Sequence, residues 1–176
     1  MILNHLRALQ QSGAGEIEEV ILLHGGRTNG LPEGFSLPAD VVKFYERFGE
    51  SILNEESETG AWARVVTPEE FNRIDAAIMG GERFASGPFE NWFALVDVED
   101  GNYIAIDLSV EHQGKCLDAF HETFAIPSYV DVVAASFTDL LNRFLDHKED
   151  TAFWLDEAFE SLGEAFGMYG IEPAEE

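Results

Sequence analysis

Histidine, cysteine and paired carboxylates supply most hydrolytic, redox and metal chemistry. The chain holds five His, one Cys and 34 Asp plus Glu among its 176 residues. His5, His24, His112, His121 and His147 form neither a HExxH pattern nor a close pair. His121-Glu122 follows an expected strand, where an imidazole more often makes a surface hydrogen bond than transfers protons. Asp97-Val-Glu-Asp-Gly-Asn102 has the density of a calcium loop. The EF-hand spacing, however, needs Gly at its sixth position and Glu at its twelfth, and here Gly101 stands fifth and Leu108 twelfth. Cys116 lies inside an expected strand with Lys115 pointing to the opposite face, which suits a buried structural thiol rather than a nucleophile. Gly25-Gly26-Arg27 lacks the Lys-Ser/Thr of a phosphate loop, and no GxGxxG or GxSxG occurs. With so many acids, carboxylate proximity is guaranteed and so carries no evidence for acid–base work. The residues assign no catalytic set, no metal and no cofactor.

What remains is charge. Ten basic residues against 34 acidic ones give a formal net charge of −24. Such a surface repels nucleic-acid phosphates and anionic lipid headgroups. It attracts a basic protein partner and speeds its capture at low salt. The dense acidic stretches are 50–58, 97–100 and 149–176, and the last has nine acids and no base. Each also reads as a solvated loop or helix face. Loops present function on rigid scaffolds, so the partner-binding candidates are Glu50, Glu55, Glu56, Glu58, Glu99 and Asp100. Interface hot spots are more often aromatic than acidic, which adds Trp62 and Tyr129.

The elements that must position these residues follow from periodicity. A short helix is expected from Ile2 to about Ser12, and a second from Gly15 to the Gly25-Gly26 stop. Residues 25–36 are loop. Val41, Phe44, Tyr45 and Phe48 repeat at helical spacing after Pro38, predicting a helix from Leu37 to Gly49. Residues 50–60 read as polar loop and Trp62 to Val66 as a strand. Thr67-Pro-Glu-Glu70 predicts a capping box opening a helix that reaches Ile78. Residues 80–91 are loop. Two strands, Trp92–Val98 and Asn102–Leu108, flank an Asp100-Gly101 hairpin turn, and the first is apolar on both faces, as a twice-covered central strand is. Lys115 to Phe120 supplies a third strand, completing a meander. Ser136 and Asp139 open a helix carrying Phe137, Leu140, Leu141, Phe144 and Leu145. A last helix is expected after Asp150, with Leu155, Ala158, Phe159, Leu162 and Phe166, weakened at Gly163 and Gly167. The tail 171–176 is expected to fray. The order argues an α+β fold, an antiparallel meander with helices packed on it, in one domain over 1–176. One cysteine forbids an internal disulfide, no run is long enough to span a membrane, and the first residues do not read as a signal peptide. The expected location is the cytoplasm.

Three segments in order, Leu37 to Gly49, Trp92 to Leu108 with Gly114 to Glu122, and Val132 to Leu145, resemble the SUKH superfamily. That group includes fungal cell-wall-synthesis regulators and bacterial immunity proteins of the Smi/Knr type. The resemblance covers about 15–148 and leaves the acidic extension 149–170 outside. The loop 25–36 is longer than the pattern calls for. What the resemblance implies is a non-enzymatic binding module, with an immunity protein that neutralises a cognate toxin, such as a basic nuclease, as one reading. A regulatory scaffold is the other. A small-molecule enzyme built from the carboxylates stays open as a third, and would need a deep pocket with perturbed acids. Oligomeric state is not legible.

Overall fold

The computed structural model describes residues 21–24, 28–54, 63–146 and 152–172. Seven strands form one sheet: β1 (Ile21–His24), β2 (Phe48–Asn54), β3 (Ala63–Val65), β4 (Trp92–Val98), β5 (Asn102–Asp107), β6 (Cys116–Ala119) and β7 (Val132–Ala134). Their spatial order is their sequence order, and each pairs antiparallel with the next. The three-strand meander expected from the sequence is the middle of a longer one. Helices α1 (Ala39–Tyr45), α2 (Ile74–Ile78) and α3 (Phe137–Asp146) pack on it, so the α+β class holds.

The sheet is covered on both faces. Face one packs Phe93, Ile104, Ile106 and Cys116 against Val41, Phe44 and Tyr45 of α1 and Phe137, Leu140 and Phe144 of α3. Face two packs Trp92, Ala94, Ala105 and Leu117 against Ile74 of α2 and Phe89, Phe124 and Phe166 from irregular segments. This is why β4 reads apolar throughout. A bulge between Ala94 and Val96 lets Leu95 and Val96 both join face one. Cys116 has no exposed surface, and burial pushes its thiol pKa well up, as a packing residue requires.

The two capping boxes have different outcomes. Ser136 Oγ accepts from Asp139 N at 3.0 Å, Asp139 accepts from Ala135 N at 2.9 Å, and α3 follows. Asp40 of α1 then accepts from Thr138 N at 2.9 Å, a carboxylate placed on the first turn of α3. Glu70 likewise accepts from Thr67 N at 2.9 Å. Yet residues 67–70 make only a turn, and the helix starts at Ile74. Arg64 takes the same carboxylate, and Ala94 N bonds Asn72 O at 2.8 Å, tying the segment to β4 instead.

Three further expectations are corrected. Of the segment expected as a helix from Gly15 to Gly25, the described part, Ile21–His24, is strand β1 paired with β2. The helix after Pro38 stops at Tyr45, not Gly49, because Phe48 already begins β2, so residues 50–54 are strand and not loop. Phe48 is buried at the start of β2, as it would be on the inner face of a longer helix, which is why helical spacing reached one turn too far. The helix expected from Asp150 does not form over the described residues 152–172. The chain makes 3-10 turns at Phe153–Leu155 and Gly167–Tyr169 and passes between them through turns and bends, with one bridge from Glu164 to Asp131. There Leu162 N bonds Val132 O at 2.9 Å, Val132 N bonds Gly163 O at 2.8 Å and Ala165 N bonds Val130 O at 2.8 Å. Satisfying the open edge of β7 outweighs helix propensity here, and Gly163 at φ 136° adopts a backbone that excludes helix. The segment wraps the edge, with Phe153 in the face-one core and Phe166 in the face-two core. At the start of the expected frayed tail, Ile171 N bonds Phe166 O at 3.1 Å. The expected helix at residues 2–12, and residues 173–176, lie outside the described residues.

Candidate functional site

In a meander, connections alternate between the two ends of the sheet. The β2–β3, β4–β5 and β6–β7 connections therefore share one end. The β4–β5 turn carries two of the six acidic candidates. Asp100 has φ 59° and Gly101 φ 77°, paired positive values at the centre of the three-residue connection between Val98 and Asn102. Asn102 N and Asn102 Nδ2 both bond Glu99 O at 3.2 Å, closing the turn. The local backbone thus accounts for Asp100-Gly101. Asp100 is exposed and Glu99 half-buried. Among the described residues no three His, Cys, Asp or Glu side chains stand close enough to hold a metal ion.

Glu50 is not loop-borne as expected. It lies within β2, opposite Leu23. Glu55, Glu56, Glu58 and Trp62 lie outside the described residues. The flanking positions are informative: Asn54 pairs with Ala63, and Ala63 pairs with Val98. The chain leaves β2 and enters β3 beside the strand that runs into the 99–101 turn.

A charge network braces this end. Arg64 on β3 reaches Glu70 at 2.7 Å and Asp97 at 2.8 Å. The guanidinium and the Thr67 donors hold the Glu70 carboxyl down at about 2. Asp97 shifts the other way, because burial outweighs the Arg64 charge. Arg64 is thereby committed to two carboxylates, and among the described residues no Lys or Arg pairs with Glu99 or Asp100.

The β6–β7 connection, residues 120–131, joins the same end. Asn102 Oδ1 accepts from His121 N at 3.1 Å, and His121 Nδ1 lies 2.9 Å from the same oxygen. His121 thus serves as a hydrogen-bonding residue locking this connection to the turn. Tyr129 is 63% exposed. Sequence reasoning missed the β2 strand and the edge-wrapping segment. Gly163, Gly167 and Gly170, three glycines in one short stretch, were the signal against a C-terminal helix.

The chain matches the SMI1 / KNR4 family (SUKH-1) over residues 32–143. It belongs to that family. The match runs from the loop ahead of α1 into α3, so it contains the 99–101 turn and the 120–131 connection and leaves out β1 and the edge-wrapping segment. A second likeness extends past that boundary: the chain is 34% identical over 147 residues to "Immunity protein YokJ" of Bacillus subtilis (strain 168), covering 82% of this chain and 87% of that protein. No solved structure matches. No helix among the described residues is long and apolar enough to cross a membrane.

Proposed function

We propose that this chain is a non-enzymatic immunity protein of the SMI1 / KNR4 family that binds and neutralises a cognate toxin in the cytoplasm. The observation that carries the reading is the likeness to an immunity protein over 147 residues, most of both chains. The charge supports a basic partner, with a nuclease domain as the natural candidate: −24 overall favours capture of a cationic surface. The turn end of the sheet is the acidic part of the contact surface. There Glu99 and Asp100 pair with no Lys or Arg among the described residues.

Co-expression tests this. The chain is placed beside an arrayed library of basic bacterial toxin domains, nucleases among them, and growth is scored. Rescue from one toxin, with a complex that weakens as salt rises, is the expected result. Absence of rescue across the library, with several weak and salt-insensitive interactors instead, favours a regulatory scaffold. In the rescuing pair, Asp100→Lys with Glu99→Lys slows association about tenfold while dissociation changes little. An unchanged association rate removes the turn from the interface.

A further inference from the structure

We propose that the 120–131 connection is the apolar anchor of the partner interface, with Ile126 and Tyr129 inserting into a basic toxin domain. The inference rests on the immunity reading above and adds to it the surface that holds the partner once charge has brought it in.

Ile126 is 45% exposed and Tyr129 63%. Two large apolar side chains in the open within one short connection call for an explanation that scattered surface apolars do not. The connection is held rigid around them. Phe124 and Val130 are buried in the face-two core on either side. Backbone bonds Phe124 N to Phe120 O at 2.8 Å, Ile126 N to Thr123 O at 2.8 Å and Tyr129 N to Ile126 O at 3.2 Å fold it into successive turns. Ser128, between the two exposed residues, stands at φ 73°, a conformation a non-glycine residue holds only when its surroundings impose it. The imposing group is Glu164 from the edge-wrapping segment, whose Oε1 accepts from Ser128 N at 3.1 Å. An aromatic anchor on a preorganised support loses little entropy on binding, as hot spots require.

Charge names the occupant. No Lys or Arg occurs from Cys116 to Asn142 or from 152 to 172. Glu122 and Asp131 on the connection are exposed, and the His121–Asn102 contact joins the connection to the Asp100 turn. Apolar side chains on a connection that carries exposed Glu122 and Asp131 and no base fit a partner whose own surface is cationic and bears apolar or arginine side chains. Val110 is 94% exposed, but it sits in the β5–β6 connection at the opposite end of the sheet and serves as the control.

The test uses the same toxin-domain library with four chains: wild type, Tyr129→Ala, Ile126→Asp and Val110→Asp. Thermal melts of the three variants confirm folding, since all three side chains are exposed. For the toxin the wild type neutralises, Tyr129→Ala and Ile126→Asp are expected to raise the dissociation rate about tenfold or more and to weaken protection. The Val110→Asp chain is expected to bind and protect as the wild type does. Loop variants that bind and protect like wild type overturn the anchor while leaving the immunity reading intact. A wild-type chain that neutralises no toxin in the library overturns both.

Discussion

Asp107 on β5 and Asp118 on β6 are carboxylates on adjacent strands, and both hold the edge-wrapping segment, from opposite faces of the sheet. Asp107 pairs across from Trp92, on face two, and has no exposed surface. Its oxygens accept from Tyr169 OH at 2.7 Å, Ser109 N at 2.8 Å and Trp92 Nε1 at 3.2 Å. Asp118 pairs across from Ile104, on face one. The Trp154 side chain donates to it, Asp131 faces it with like charge, and burial pushes its carboxyl up to about 6. A buried carboxylate is stabilised by the donors aimed at it, not by its position on a strand. Asp107 has three. Asp118 has an indole and a repelling neighbour.

The largest loss is expected at the apolar residue beside the Asp107 clasp. Phe166 stacks edge-on against Trp92 and Phe89 at 5.3 and 5.9 Å. Phe166→Ala should cost about 4 kcal/mol, as large-to-small changes at a buried aromatic do, read as a lower urea midpoint. Asp107→Ala comes next, at about 3 kcal/mol, because it strands the buried Trp92 Nε1 and two part-buried donors at once. Asp107→Asn should recover part of that loss. Equal stability of the Ala and Asn variants would mean that Tyr169 and Trp92 find other partners.

Asp118 predicts the opposite sign. Its folded value of about 6 lies above the ordinary 3.8. Between those two values the folded chain holds a proton that the unfolded chain has lost, so stability falls as pH rises through that window and is flat above it. Asp118→Asn should therefore stabilise the chain by roughly 2 kcal/mol at pH 7 and remove that part of the pH dependence. A loss of stability at pH 7 would show that the charged form is well solvated.

These clasps were hard to read in advance, and the reason is physical. The meander's centre was legible because Asp100-Gly101 between two apolar runs specifies a turn locally. The Ser136 box and the stripe through Phe144 specify α3 in the same local way. Nothing within residues 153–166 announces that its hydrogen-bond partners are Val130 and Val132. Their apolar spacing is helical, and only the glycines argued otherwise. The candidate site divides the same way. Glu99 and Asp100 were legible as a presented turn, whereas Glu50 was misplaced because Ser51 and Leu53, buried in β2, alternate over too few residues to declare a strand. The exposure of Tyr129 depends on where Phe124 and Val130 dock, which no local pattern encodes.

The smallest effect is expected at the solvent-facing carboxylate. Glu70 is a carboxylate with generous donors like Asp107, but its side chain is 45% exposed. Arg64 Nη1 and Nη2 reach it at 2.7 and 2.9 Å, and Thr67 N and Oγ1 at 2.9 and 3.0 Å. Its folded value of about 2 lies below the ordinary 4.5. The stability it contributes is therefore complete above pH 4.5 and is lost as pH falls toward 2, opposite to Asp118 in sign and centred at lower pH. Solvent screens a pair this exposed, so Glu70→Gln should cost about 1 kcal/mol or less at pH 7. The loss should shrink in high salt, whereas the Asp107 loss should not. A Glu70→Gln penalty that matches Asp107→Ala and ignores salt would place Glu70 among the buried clasps and dissolve the distinction between donor count and burial.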